Sequence, residues 1–426
     1  MGNVLSRSAW FAVIAGMATA QLTASASTAT QSASASAHNT DRTSNATSQK
    51  KNSLQKNAAL RKNATTAIER ALRFLASKQA DDGGWPGPTG HSDPAITALA
   101  AKTFIQHPTY GPNHRIVKQA IHRVLSFRQP DGGFYDPQFG YGNYSTSICL
   151  MTLAAMKKPE TQEHIISAQR WLKNNQWAEG KCDNDGKPID PTHSWYGGAG
   201  YGKHRRPDLS NTQMMLEALH QSGLPANDPA FQRALRFIQR SQMLEQTNDQ
   251  PFARGENDGG FIYTPAQGGQ SQAGEVTVDN QRRLRSYGSM TYAGFKSMIY
   301  ANVDRNDLRI QRAWAWIRQN YTLDANPNMP GAQSQDGLYY YYHVFAKTLE
   351  AWGQPMIPDP QGNKHDWRSE LCHQLIERQQ PDGSWVNNAP RWQEDNPCLV
   401  TAYAVLSLQT ALRRDPSPKI PGTERP

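Results

Sequence analysis

A unit of helix, glycine turn and helix recurs six times along the chain, and no other feature limits its fold so tightly. The clearest copy is Arg70-Ala71-x-x-Phe74-Leu75-x-x-x-Gln79-x-x-x-Gly83-x-Trp85. A second has Val124, Leu125 and Gln129 before Asp131-Gly132-Gly133-Phe134, and a third has Trp171, Leu172, Gln176 and Gly180 without the aromatic. The fourth, Arg233-Ala234-x-x-Phe237-Ile238-x-x-x-Gln242, reaches Asp258-Gly259-Gly260-Phe261 after an insertion. The fifth, Arg312-Ala313-x-x-Trp316-Ile317, puts Tyr321 in the glutamine position and reaches Asp336-Gly337 after a longer one. The last has Leu375, Gln379 and Pro381-Asp382-Gly383-Ser384-Trp385. Apolar residues at helical spacing followed by Asp-Gly chemistry describe a helix that stops. A second helix is expected after each turn, over 93–105, 144–156, 208–222, 287–302, 338–352 and 396–412. Several of these begin with Asp, Asn or Ser next to Pro, as helix starts do. They carry fewer charges than the first helices, which suits an apolar inner ring inside a charged outer one. The glutamine or equivalent positions 79, 129, 176, 242, 321 and 379 set a basic unit that later loops lengthen. Periods of this kind mark stacked helical hairpins, so residues 65–412 are expected to form an all-α array of six hairpins closed into a barrel.

Ahead of the repeats, Arg7, the apolar run from Ala9 to Ala20 and Ala24-Ser25-Ala26 have the layout of an export signal over residues 1–26. Its apolar stretch is too short to span a bilayer. The expected location is secreted or periplasmic. Residues 27–64 are rich in Ser, Ala, Thr, Asn, Gln and Lys, a composition that cannot bury enough surface to offset ordering entropy. A disordered tether is expected there, and a disordered tail over 413–426. Up to residue 64 the chain carries a net +6 of its total +9. The repeats are therefore nearly neutral, and nucleic-acid binding is not expected. The four cysteines, Cys149, Cys182, Cys372 and Cys398, leave any pairing open.

The Arg-Ala-x-x-Phe-Leu-x-x-x-Gln-x-x-x-Gly-x-Trp unit resembles the QW repeat of squalene and oxidosqualene cyclases. The Asp-Gly-Gly-Phe variants resemble repeats of protein prenyltransferase β subunits. The resemblance implies an (α/α)6 toroid with an aromatic-lined central cavity for isoprenoid chains, near the N-terminal ends of the inner helices. It also implies where the chemistry has changed. The cyclases protonate an alkene with an Asp-x-Asp-Asp-Thr-Ala motif; the matching Pro207-Asp208-Leu209-Ser210-Asn211-Thr212 keeps Asp208 but has Ser210 and Asn211 in place of the acid pair. The prenyltransferases hold zinc with Asp-x-Cys and Asp-x-Tyr-His; here Leu338 and Cys398 stand at two ligand positions, so no metal or other cofactor is expected.

Asp208 and His343 are the candidate catalytic groups. Helical spacing turns Tyr339, Tyr340 and His343 toward the lumen if Tyr341, Phe345, Thr348 and Trp352 face the outer helices. The expected ligand-binding set is Trp195, Tyr196, Tyr201, Asn211, Tyr287, Tyr292, Tyr339 and Tyr340, most of them aromatic faces able to hold an isoprenoid chain or stabilise a carbocation. Trp195 to Gly202 is a Gly- and aromatic-rich loop that reads as a rim over the cavity. The leading expectation is an exported, diverged cyclase-like protein for an isoprenoid or other apolar small molecule, with contact at a membrane surface compatible with it. The alternatives are a non-catalytic toroid for a protein or lipid partner and an exported toroid acting on polysaccharide.

Overall fold

The computed structural model describes residues 34–202, 206–278 and 280–413, with side chains from residue 55 onward. The export signal expected over residues 1–26, the start of the tether and the tail from 414 lie outside the described residues. The chain divides into a segment ending at Lys56 and a body from Asn57. Of the first segment helical backbone is described from Ser34 and side chains only at Gln55 and Lys56; the hairpins all belong to the body.

Twelve α-helices are described: α1 (Ser34–Ser77), α2 (Pro94–Ile105), α3 (Arg115–Ser126), α4 (Gly142–Met156), α5 (Gln162–Asn175), α6 (Leu209–Gln221), α7 (Pro229–Ser241), α8 (Gly288–Tyr300), α9 (Leu308–Gln319), α10 (Leu338–Trp352), α11 (Trp367–Glu377) and α12 (Pro397–Ala411). The even-numbered helices pack in sequence, α2 on α4, α4 on α6, and so on to α12, which packs back on α2. This closes the ring: the fold is an (α/α)6 toroid. Every residue of α2 and α8 is buried, as an inner helix sheathed on all sides requires. The outer helices bury one stripe; in α3 it is Ile116, Val117, Ala120, Ile121 and Val124.

Composition predicts a disordered tether up to residue 64, but α1 is already helical there, and Leu60 and Ala64 are buried in the core. The two fall four residues apart and continue the stripe of Ala67, Ile68, Ala71 and Leu72. A few apolar groups at helical spacing outweigh a polar average.

The repeated glutamine is a clamp between neighbouring hairpins. Gln79 Nε2 donates to the Gly83 carbonyl in its own turn and to Ile116 O at the start of the next outer helix. Gln242 repeats this with Gly259 and Arg309, and Gln379 with Gly383 and Ala67. The last contact joins the sixth hairpin to the first. Gly383, at φ +93°, lies where a Cβ would come within 2.7 Å of the Arg70 carbonyl oxygen, so glycine is required for the helices to approach this closely.

In the third copy the clamping turn is not at Gly180. Gln176 donates to Gly197 O and to Ala230 O, and the residues between Trp177 and Tyr196 form an insertion whose Trp177, Ile189, Trp195 and Tyr196 make a small core with Ala266. The only strands among the described residues lie in loops between helices: β1 (Glu275–Val278) pairs antiparallel with β2 (Gln281–Leu284), and β3 (Ile357–Pro358) with β4 (Lys364–His365). No described helix is long and apolar enough to cross a membrane.

Candidate functional site

The inner helices all start at the same end of the toroid, and their first turns surround a cavity of about 310 Å³. The residues that reach it hold matching positions: Ala95 and Ile96 in α2, Tyr144 and Ser145 in α4, Ser210 in α6, Ser289 and Met290 in α8, Tyr340 in α10 and Leu399 in α12. The loops that join each outer helix to its inner helix add Tyr141, Tyr201, Tyr263 and the run Trp392-Gln393-Glu394. The described wall contains seven tyrosines. Their hydroxyls are largely tied together: Tyr144 Oη and Tyr403 Oη are 2.5 Å apart, and Tyr340 Oη accepts from Gln213 Nε2 at 2.9 Å beside Ser210 Oγ at 3.0 Å.

Three carboxyl groups serve this cavity. Asp93 caps α2 by accepting from Ile96 N at 2.9 Å, and burial raises its pKa. Asp208 caps α6, accepting from Asn211 N at 2.8 Å and Asn211 Nδ2 at 2.9 Å. It lies behind Tyr263, whose hydroxyl bonds to it, and burial lifts it to about 6. Glu394 is 1% exposed. It caps α10 from a distance, because Gly337 at the N-cap has no side chain: it accepts from Tyr340 N at 2.7 Å, Tyr339 N at 3.2 Å and Asn387 Nδ2 at 2.7 Å. Burial pushes its carboxyl up to about 7 against the pull of those donors. Glu394 therefore holds its proton part of the time at neutral pH, the condition of a usable general acid.

The loop that carries Glu394 is strained. Trp392 and Gln393 have left-handed backbones at φ 59° and 65°. The Trp392 ring lies over Gly337, where a Cβ would come within 2.9 Å of it, and under the Arg391 guanidinium at 4.4 Å. Arg391 is held in turn by Asp336 at 3.1 Å. At 41% exposure Trp392 forms part of the rim.

Of the residues expected to bind ligand, Tyr201, Tyr287 and Tyr340 line the cavity. The others do not. Trp195 packs on Trp177 at 4.9 Å and Tyr196 bonds Glu179, both in the insertion core. Tyr292 packs edge-on against Tyr341, and Tyr339 against Tyr342, because both point between helices rather than down the axis. Asn211 spends its amide on Asp208 and accepts from Asn143. His343 is not in the wall; its ring lies 5.3 Å from that of Tyr403, and burial lowers its pKa to about 3, leaving it neutral. Asp208 is present but screened by Tyr263. Sequence reasoning misses Asp93 as a cavity group, Tyr141, Tyr144, Tyr263, Trp392, Glu394 and Tyr403. Aligning the hairpins on the first turn of each inner helix identifies Tyr144; no local signal brings in Glu394, which arrives on a loop.

Farther down the inner helices lies a layer of buried charged groups. Lys296 bonds Glu217 at 2.5 Å, Lys102 donates to Gln221 Oε1 at 2.7 Å, and Glu350 receives Lys347 and Arg413. Among the described residues no group of three or more His, Cys, Asp or Glu could hold a metal ion. Leu338 and Cys398, at the altered zinc positions, are both buried in the core.

The raised carboxyls make stability depend on pH. An acid whose pKa is higher folded than unfolded contributes stability below its unfolded pKa and loses it as pH rises through the folded one. The free energy of unfolding should fall between pH about 4.5 and 7 by roughly 3 kcal/mol from Glu394 alone. Denaturant titrations of the native chain and of Glu394→Gln across this window would test it. The variant should show the shallower fall, and parallel curves would mean that Glu394 stays ionised throughout.

The class so defined is the closed toroid of six helical hairpins, with a polar-aromatic cavity at the inner helix N-termini. Among solved structures this chain is similar in fold to the type II terpene cyclase MstE from Scytonema without ligand, at 14% identity over 82% of this chain and 99% of that one, TM-score 0.50. A variant of the same cyclase in complex with geranylgeranyl dihydroxybenzoate as substrate matches at 13% identity over 83% and 98%, TM-score 0.49. An α-amylase from Clostridium perfringens matches at 11% over 81% and 97%, TM-score 0.48. At such identities the likeness is one of fold alone. No family model matches the sequence.

Proposed function

We propose that the protein is a terpene-cyclase-like toroid that holds an isoprenoid-like apolar molecule in the tyrosine-lined cavity and has an altered acid. The observation that carries this reading is the wall: seven tyrosines and Trp392, with Ile96, Met290 and Leu399, around the cavity. Aromatic faces solvate an alkenyl chain and stabilise positive charge that develops on it. Ser210 and Asn211 cannot protonate an alkene, so acid chemistry falls to Glu394, and to Asp208 acting through Tyr263. A carboxyl that loses its proton near neutrality suits transfer to an oxygen far better than to a bare alkene. The substrate class that fits is an isoprenoid with an oxygen function, an epoxide or an alcohol.

The test is fluorescence titration with geranylgeraniol, followed by gas chromatography after incubation with squalene and with its terminal epoxide. We expect saturable binding that weakens about tenfold or more when Tyr287 and Tyr340 are both replaced by alanine. We expect little product from squalene, and product from the epoxide that Glu394→Gln removes. Absence of saturable binding would sink the reading.

A further inference from the structure

The polar groups of the cavity are arranged for one sign of charge. Its wall contains two carboxyls, Asp93 and Glu394, with Asp208 one hydroxyl behind Tyr263, and the described residues that form it include no lysine, arginine or histidine. Helix N-termini ordinarily offer free N–H groups to an anion. Here the chain's own oxygens accept from at least one of them on each of the six inner helices. Asp93 accepts from Ile96 N, Asp208 from Asn211 N, Glu394 from Tyr339 N and Tyr340 N, and Asn396 from Cys398 N and Leu399 N. On α4 the Tyr201 carbonyl accepts from Asn143 N, and on α8 Asn326 Oδ1 accepts from Ser289 N.

Among the described residues the nearest cations are occupied or distant. Arg391 is held by Asp336 and Gln272, and Arg206 donates to Gln270. Lys102, Lys296 and Lys347 lie six to seven residues below Ile96, Ser289 and Tyr340 on the same helices, about 10 Å at 1.5 Å per residue. The groups left to meet a ligand are aromatic faces, hydroxyls and carboxyls. That set attracts organic cations, most of all alkylated ammonium groups, which present a diffuse charge to π faces and need no hydrogen bond.

Resting on the reading that this cavity takes an apolar molecule, we propose that its ligand bears a substituted ammonium group on an apolar tail, with the charged head among the tyrosines and Trp392, beside Glu394 and Asp93. The described wall disfavours anionic heads, diphosphates included.

Calorimetric titration of the full chain with three probes that share one tail, decyltrimethylammonium, 1-decanol and decyl sulfate, tests this below their micelle thresholds. We expect one site per chain, with the ammonium bound about tenfold tighter than the alcohol and the sulfate weakest. The chain carries +9 overall, so unspecific attraction would favour the sulfate and produce the reverse order. Glu394→Gln should shrink the preference for ammonium over alcohol severalfold. Equal affinities for the three probes, or an ammonium preference that survives both Glu394→Gln and Tyr340→Ala, would overturn the charge assignment and leave the apolar cavity standing. No saturable binding of any probe would overturn both.

Discussion

Gly197→Ala should destabilise the protein by about 4 kcal/mol, the sum of a strained left-handed backbone and an overpacked contact. At φ +82° the added Cβ would collide with the Arg233 backbone carbonyl, which cannot rotate aside as a side-chain tip could. The collision falls where the third hairpin meets the fourth, so relief requires the turn of the third to part from the outer helix of the fourth. Parting them would also loosen the Gln176 clamp on Ala230. Against a total stability of roughly 5–15 kcal/mol for a typical domain, this is a large share. Gly180→Ala is the control. Its φ of +83° is almost the same, but nothing lies within 4 Å of the added Cβ, so only the backbone cost of about 1 kcal/mol should remain. Denaturant midpoints of the two variants would separate the causes. Equal losses would mean that the inter-hairpin contact is not tight.

The contrast between these two glycines also measures what the sequence can reveal of the fold. Glycine after Gln176 is what the repeat demands, and Gly180 stands at the usual distance, so it is the natural reading. Gly197 serves instead because an insertion with its own core of Trp177, Trp195 and Tyr196 separates glutamine from turn. Repeat spacing legibly marks all six inner helices, whose starts agree with expectation to within about two residues, because an Asp, Asn or Pro punctuates several of them. It cannot report an insertion that packs on itself. The ring closure, by contrast, is encoded in chemistry that the repeat contains: Gln379 donates to Ala67 as each clamping glutamine donates to the next outer helix.

The site is less legible for the same reason. Tyr340 follows from helical spacing, whereas Tyr339 and His343 do not reach the cavity, since a stripe of residues names a side of a helix but not the depth at which a lumen opens. Glu394 sits 54 residues from Tyr340, the residue whose N–H it accepts, and enters on a loop whose course depends on left-handed Trp392 and Gln393. Asp208 reads from sequence as an acid candidate at a helix start, and the structure makes it the cap of α6; only Tyr263, from the following insertion, places it one hydroxyl away from the cavity.

Glu217→Ala should cost roughly 3–5 kcal/mol, because it leaves Lys296 buried without its counter-charge. Lys296 is 0% exposed and its ammonium is 2.5 Å from Glu217 Oε2. Lys102 and Lys347 stand in the same layer, and Gln221 Nε2 also donates to Glu217 at 2.7 Å. Burial and neighbouring cations already lower the Lys296 pKa while Glu217 supports its charge; without the carboxylate the amine must shed its proton to remain inside. A lysine with a lowered folded pKa gains stability as pH rises toward its unfolded value, since the unfolded chain then holds the extra proton. The deficit of Glu217→Ala relative to the native chain should therefore be largest near pH 6 and shrink toward pH 10. Replacing both partners, Glu217→Leu with Lys296→Met, should recover most of the loss at every pH, because two apolar groups of similar size need no counter-charge. Chemical denaturation of the native chain and both variants at pH 6 and 10 would decide the matter. A deficit independent of pH, with no recovery in the double variant, would mean that the layer matters for its shape and not for its charge.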